Sequence, residues 1–239
     1  MQKIQSHFAN HIIPDIKKCN WYFGGLLIIL SASVVLLLFT GKAGSFIFLN
    51  SYHPFLLNVF FTNYTFLGDG IFALCLILFF LYRQRKQQAF ALLASFLISG
   101  LAVQVIKNFV NAPRPKIFFE AGQYLYFING ISHGGHSSFP SGHTATAFAI
   151  ATVIVTILKI KKWQLLVLFA AALVGYSRIY LAQHFLIDVI VGALIGNISG
   201  ILSLHFIMQA KDFRGSIHKI RATKAGEVLP SPATVQTAR

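Results

Sequence analysis

Acidic side chains are scarce in this chain: six Asp and Glu stand against twenty Lys and Arg in 239 residues, a formal net charge of +14. Charge of either sign is scarce too, at 11% of residues, where soluble domains carry roughly 25%. That shortfall excludes a soluble globular enzyme. The six carboxylates are also too scattered to offer an obvious oxygen cage for Mg²⁺. Cysteine is nearly missing. Cys19 lies in a basic leader and Cys75 in an apolar run, so no disulfide is expected. No small-residue cleavage pattern follows the first apolar run, which is therefore expected to stay as a membrane span rather than be removed as a signal peptide.

Apolar length is what the chain has instead, with 56% hydrophobic residues and 24 Phe. A helix rising 1.5 Å per residue needs about 20 apolar residues to cross a hydrocarbon core of roughly 30 Å. Six runs approach that length: Trp21–Thr40, Leu67–Tyr82, Ala89–Ile106, Gly142–Leu158, Trp163–Tyr180 and Phe185–Met208. The expected fold is all-α, a polytopic membrane protein with six transmembrane helices forming a helical bundle over residues 21–209. A basic leader, 1–20, precedes it. A basic tail, 210–239, with Pro230 and Pro232 towards its end, is expected to be disordered. Phe55–Phe61 is apolar but too short to cross, and reads as an interfacial or re-entrant piece. The basic excess would suggest nucleic acid in a soluble protein. Here apolar runs separate the basic residues and no basic, aromatic-interleaved stretch occurs, so the expected partner is the bilayer and no nucleic acid.

Assigning alternate sides puts fifteen Lys and Arg together in the leader, the Arg83–Lys86 turn, the Lys159–Lys162 turn and the tail. Only Lys42, Lys107, Arg114, Lys116 and Arg178 fall opposite. Cytoplasmic loops accumulate positive charge, so both termini are expected in the cytoplasm. The compact chain suggests a bacterial cytoplasmic membrane.

The minority of external charges is the informative part. Lys107 ends the third run and is followed by Arg114-Pro115. Pro140-Ser141-Gly142-His143 opens the fourth, where a helix N-terminus with free N–H groups suits an anion. Arg178 closes the fifth run, and His184 and Asp188 follow, four apart, a spacing that on one helix brings imidazole and carboxylate to one face. Taken singly, each has a plain structural role as an anchor or cap. Together they place three cations, an anion-binding helix start and two histidines on one membrane face. A transferring phosphoryl group needs this inventory: charge stabilisation, a nucleophile, and a proton donor for the leaving oxygen.

Lys107-(six residues)-Arg114-Pro115, Pro140-Ser141-Gly142-His143 and Ser177-Arg178-(five residues)-His184-(three residues)-Asp188 resemble the three-part signature of the type-2 phosphatidic acid phosphatase superfamily. Its membrane-bound lipid phosphatase branch is related to the vanadium haloperoxidases. Every signature position matches. The resemblance implies that His184 is the nucleophile forming a phosphohistidine, that Asp188 holds it, and that His143 protonates the leaving oxygen and then activates water. Lys107, Arg114, Ser141, Gly142 and Arg178 would bind the phosphate. No metal and no cofactor are implied. The expected activity is hydrolysis of a phosphomonoester or diphosphate on a lipid at the outer leaflet. The residues do not choose between undecaprenyl diphosphate, lipid A phosphate, phosphatidylglycerol phosphate and phosphatidate, and they leave the oligomeric state open.

A lipid phosphotransferase would use the same intermediate. A transporter would want ionisable groups near the middle of spans and inverted repeats, and neither is present. His133 and His136 read as part of a flexible loop and Asp69 as a helix cap. The aromatic stretch from Pro115 to Phe139 (Phe118, Phe119, Tyr124, Tyr126, Phe127) reads as anchored in the headgroup zone.

Overall fold

The structure is a computed structural model that describes residues 18–119, 126–128, 135, 137–158 and 161–226, the last nineteen by backbone alone. The leader up to residue 17, Tyr124, Ser132, His133, His136, Lys159 and the tail beyond residue 226 lie outside the described residues.

Apolar runs become helices, and among the described residues there is no strand. The order is α1 (Asn20–Leu49), α2 (Phe55–Tyr64), a 3-10 turn (Thr65–Gly68), α3 (Gly70–Tyr82), α4 (Lys86–Phe109), α5 (Pro115–Phe118), α6 (Gly142–Ile157), α7 (Lys161–Tyr180) and α8 (Leu186–Gly226). The first apolar run ends where the sequence places its end, because α1 breaks at Gly41, whose φ of 69° suits a residue without Cβ.

Among the described residues, four helices are long and apolar enough to cross a membrane: α1, α4, α7 and the 186–207 part of α8. A fifth arises if α2 and α3, bent by 56° at their junction, count as one broken span. Six spans are therefore not established. The second expected span, Leu67–Tyr82, is the far limb of this bent pair. It is short because Asp69 stops the 3-10 turn and starts α3, its side chain accepting from the Ile71 N–H at 2.8 Å. The fourth, α6, has 16 residues, about 24 Å at 1.5 Å per residue. Phe55–Phe61, expected to be an interfacial or re-entrant piece, is the start of α2, in a bent pair whose geometry fits either a broken span or a re-entrant loop. At the other end, α8 continues as helix to Gly226, past residue 210 where disorder was expected. No proline interrupts this stretch, and Ala, Lys and Arg are good helix formers.

The short α6 is the centre of the bundle. Eleven of its sixteen residues are buried, Thr144 to Val153 without a break, and it packs against α4, α7 and α8. Its approach to α8 is close because α8 presents Gly192, Gly196 and Gly200 along one face. A Cβ on Gly192 would sit 2.6 Å from the Ser141 carbonyl, and one on Gly196 would collide with the Ala145 carbonyl. Small residues every fourth position let helix backbones meet without lipid between them. A polar knot also ties three helices together. Asn197 Oδ1 accepts from Tyr22 at 2.9 Å and from Thr152 at 2.8 Å. The α6–α8 seam thus fixes two elements whose N-termini both lie at the site.

Candidate active site

Four helix ends and one loop meet at one end of the bundle. Lys107 lies in the last turn of α4, Arg178 in the last turn of α7, Ser141 and His143 at the start of α6, and Asp188 in the first turn of α8. The loop carrying Arg114 is brought in by backbone pairing, with Ser138 N–H donating to the Ala112 carbonyl at 3.0 Å and Arg114 N–H to the Gly135 carbonyl at 3.2 Å. Pro115 then opens α5, with Arg114 as its cap.

His184 and Asp188 do not share a helix, contrary to the four-residue spacing rule. His184 lies in the turn between α7 and α8, held because both Gln183 and His184 N–H groups donate to the Arg178 carbonyl at 3.0 and 3.2 Å. Ala182 turns the chain with φ of 51°. The two side chains still meet: His184 Nδ1 is 3.5 Å from Asp188 Oδ2, and both are buried. That distance is at the long limit of a hydrogen bond from Nδ1–H to the carboxylate. The same oxygen accepts from Ser138 Oγ at 2.6 Å and from the Phe185 N–H at 2.9 Å. The second bond is half of a capping box that starts α8. The Asp188 carbonyl in turn accepts from Ser141 N–H at 3.0 Å. One residue therefore fixes His184, the Ser138 loop and the start of α6.

Burial is the largest influence on His184 and pushes its imidazole down from 6.5 to about 4, with Asp188 pulling the other way and Arg178 and Arg114 adding to the drop. The imidazole is neutral near pH 7. Arg114, whose own value burial lowers, feels Asp188 as a partly compensating charge. Lys107 interacts with Arg114, Arg178 and Asp188, so the three cations form one positive field around the His184–Asp188 pair. Within it, Arg114 Nε and Arg178 Nε are buried without a hydrogen-bond partner among the described residues. Orphaned buried donors cost about 1–3 kcal/mol each. An anion between the two guanidinium groups would satisfy them.

His143 stands apart in exposure, about one-third accessible, with Nε2 3.7 Å from Asp69 Oδ2. Ser141 is fully buried, its Oγ accepting from Thr144 Oγ1 at 2.9 Å. A Cβ on Gly142 would meet Val103 at an ordinary 3.8 Å, so crowding by the protein does not require glycine there. Among the described residues no three His, Cys, Asp or Glu converge as a metal site.

Every residue of the expected set that the structure describes falls at this end of the bundle. Sequence reasoning missed Ser138, Thr65 and the second partner of Asp69. Arg178 Nη1 donates to Thr65 Oγ1 at 2.6 Å, a contact across 113 residues that no spacing rule reaches. Ser138 stands two residues before Pro140, but its link to Asp188 spans 50 residues and leaves no signal in the local sequence. The aromatic loop also differs from expectation. Phe119 is buried against Phe46 and Phe185, and Lys42 Nζ sits over the Phe185 ring at 4.2 Å, outside the cluster of cations. Tyr126 stacks on His53 with ring centroids 4.3 Å apart.

Relatives share this architecture. A lipid A 4'-phosphatase of Porphyromonas gingivalis is 29% identical over 57% of this chain and 58% of its own length. Lipid phosphate phosphatase 1 of Arabidopsis thaliana is 39% identical over 45% of this chain and 40% of its own. The chain thus spans about half the length of these relatives. Among solved structures, LpxE of Aquifex aeolicus matches with a TM-score of 0.61 and 37% identity, covering 68% of this chain and 94% of that one. A phosphatidylglycerolphosphate phosphatase of the PAP2 type from Bacillus subtilis matches with a TM-score of 0.52 and 25% identity, over 84% and 97%. The PAP2 superfamily model matches residues 88–212, a stretch that takes in every residue of the cluster except Asp69 and Thr65. With more than half of its length matched, the chain belongs to the PAP2 superfamily.

Proposed function

We propose that this protein is an integral-membrane lipid phosphatase that removes phosphate from a lipid phosphomonoester or diphosphate through a phosphohistidine. The observation that carries the reading is the pair of partnerless buried guanidinium Nε groups flanking a buried neutral imidazole backed by a carboxylate. In the proposed reaction His184 Nε2 attacks phosphorus while the bond to the leaving oxygen breaks. Asp188 holds the imidazole through Nδ1 and stabilises the charge it gains. Lys107, Arg114, Arg178, the Ser141 hydroxyl and the Gly142 N–H at the start of α6 hold the phosphoryl oxygens as their charge redistributes. His143 gives the leaving oxygen its proton and then takes one from the water that opens the phosphohistidine. The side-chain inventory supplies each role without calling on a cofactor.

Substrates of the relatives support a lipid carrier: lipid A phosphates, undecaprenyl diphosphate and phosphatidylglycerophosphate appear in their names. In this reading the bent α2–α3 pair and the short buried α6 complete six crossings, and the site faces the outer leaflet of a bacterial cytoplasmic membrane with both termini inside. Purified protein, assayed in excess chelator against that panel and phosphatidate, is expected to release phosphate from at least one, with orthovanadate inhibiting. His184→Ala is expected to abolish release and phosphoenzyme together. Activity that needs added Mg²⁺, or a phosphoenzyme that persists in His184→Ala, would overturn the assignment.

A further inference from the structure

The turn from Thr65 to Asp69 touches two site residues from outside the family-matched region. Gly68 lies against the start of α6, where a Cβ would fall 2.7 Å from the His143 carbonyl and 3.0 Å from its Cβ. Thr65 accepts from the Arg178 guanidinium at 2.6 Å. Asp69 uses one carboxylate oxygen to start α3 and turns the other towards His143 Nε2 at 3.7 Å. A residue needed only as a cap has no use for the second contact, and serine or asparagine caps equally well.

We propose that Asp69 is the positioning residue of His143, its carboxylate drawing the Nε2 side of the ring by charge across 3.7 Å so that Nδ1 is the nitrogen presented to the leaving oxygen. This rests on the reading of His143 as the proton donor. The charges around His143 are Arg178, Lys107, His184 and Asp69, and Asp69 is the one carboxylate among them. A protonated His143 beside Arg178 and Lys107 needs that counter-charge. As the P–O bond breaks, the Nδ1 proton passes to the leaving oxygen while Nε2 keeps its own, facing Asp69. The neutral tautomer left behind carries a lone pair on Nδ1, the form required to take a proton from the attacking water. One carboxylate therefore serves both halves of the reaction by fixing which nitrogen acts. Carboxylates that orient metal-bound histidines act by the same logic, and losing one there costs about 10–100-fold.

Asp69→Asn and Asp69→Ser both retain a helix cap and remove the charge, so at least one folded variant is expected. Single-turnover release of the alcohol from a lipid phosphate should slow about 10–100-fold in either. Release of nitrophenolate from an aryl phosphate, which scarcely needs a proton, should slow far less. In a His143→Ala background, Asp69→Asn should add little to the loss. Equal slowing on both substrates, full additivity with His143→Ala, or no slowing would overturn the role of Asp69. If His143→Ala itself treats both substrates alike, the assignment of His143 as proton donor fails, and the positioning role fails with it.

Discussion

A buried histidine gains its reactivity from what surrounds it. His184 is held neutral mainly by desolvation, since charging it would place a cation in a dry pocket beside Arg178 and Arg114. Asp188 opposes this, and its two firm hydrogen bonds from Ser138 and Phe185 keep it from collapsing fully onto the imidazole. The sign of the resulting pH dependence follows directly. With its native value lowered from 6.5 to about 4, His184 stays unprotonated, and nucleophilic, while an ordinary histidine is already charging. The acid limb of kcat/KM for phosphoenzyme formation reports the free enzyme. Corrected for the second ionisation of the substrate phosphate, it is expected near pH 4, and a limb at 6.5 would show that burial does not hold this imidazole neutral. The residues themselves were legible beforehand, because Lys, Arg and His at the ends of apolar runs are costly and need a reason. Their partners were not. Ser138 and Thr65 are ordinary hydroxyl residues whose importance comes from contacts 50 and 113 positions away.

At the scale of elements, the site depends on helices that start in the right place. Apolar runs in the sequence located α1, α4, α7 and α8 well, since composition and length settle a membrane helix almost alone. They fared worse at particular residues: Asp69 splits the second crossing, and α6 runs only from the extended residue Ser141 to Leu158, where the chain turns extended again. The closeness of α6 and α8 was written in Gly192-(three residues)-Gly196-(three residues)-Gly200, but the pattern gains meaning only once Ala145 and Thr152 are known to face it. The two glycine environments in the bundle give opposite expectations for one substitution. A Cβ on Gly100 of α4 meets nothing within 4 Å, so Gly100→Ala should be neutral or stabilising, by up to about 1 kcal/mol from helix propensity. A Cβ on Gly196 runs into the Ala145 carbonyl, with Phe148 Cβ at 2.8 Å and Ala149 N at 2.9 Å. Gly196→Ala should destabilise by about 1–3 kcal/mol as the helices part. Thermal unfolding in detergent distinguishes them. Equal midpoints would show that the seam is looser than this geometry.

Among the described residues, large apolar side chains cover the outside of the bundle, and hydroxyl side chains are buried within its apolar core. Leu38 and Phe39 of α1 are 77% and 87% exposed, whereas Ser45, Ser95, Ser99, Thr144, Thr152 and Ser203 are buried. Exposure of that kind suits hydrocarbon, and it leaves the ends of the bundle to decide which side is which. The site end carries Lys107, Arg114 and Arg178, all engaged with the cluster. The opposite end carries Arg83, Arg85 and Lys86 in the turn between α3 and α4, and Lys161 and Lys162 at the start of α7, and under the positive-inside rule that end is the one expected in the cytoplasm. The connection from α4 to α6 leaves and returns at the site end, since Arg114 and Ser138 are both pinned there. Neither native cysteine is in a disulfide, Cys19 being buried and Cys75 exposed, and both are replaced first. Ser132→Cys should then react with a membrane-impermeant maleimide in intact cells, and Gln84→Cys only after the cells are opened. The reverse pattern would put the site in the cytoplasm and restrict its substrates to lipid phosphates of the inner leaflet.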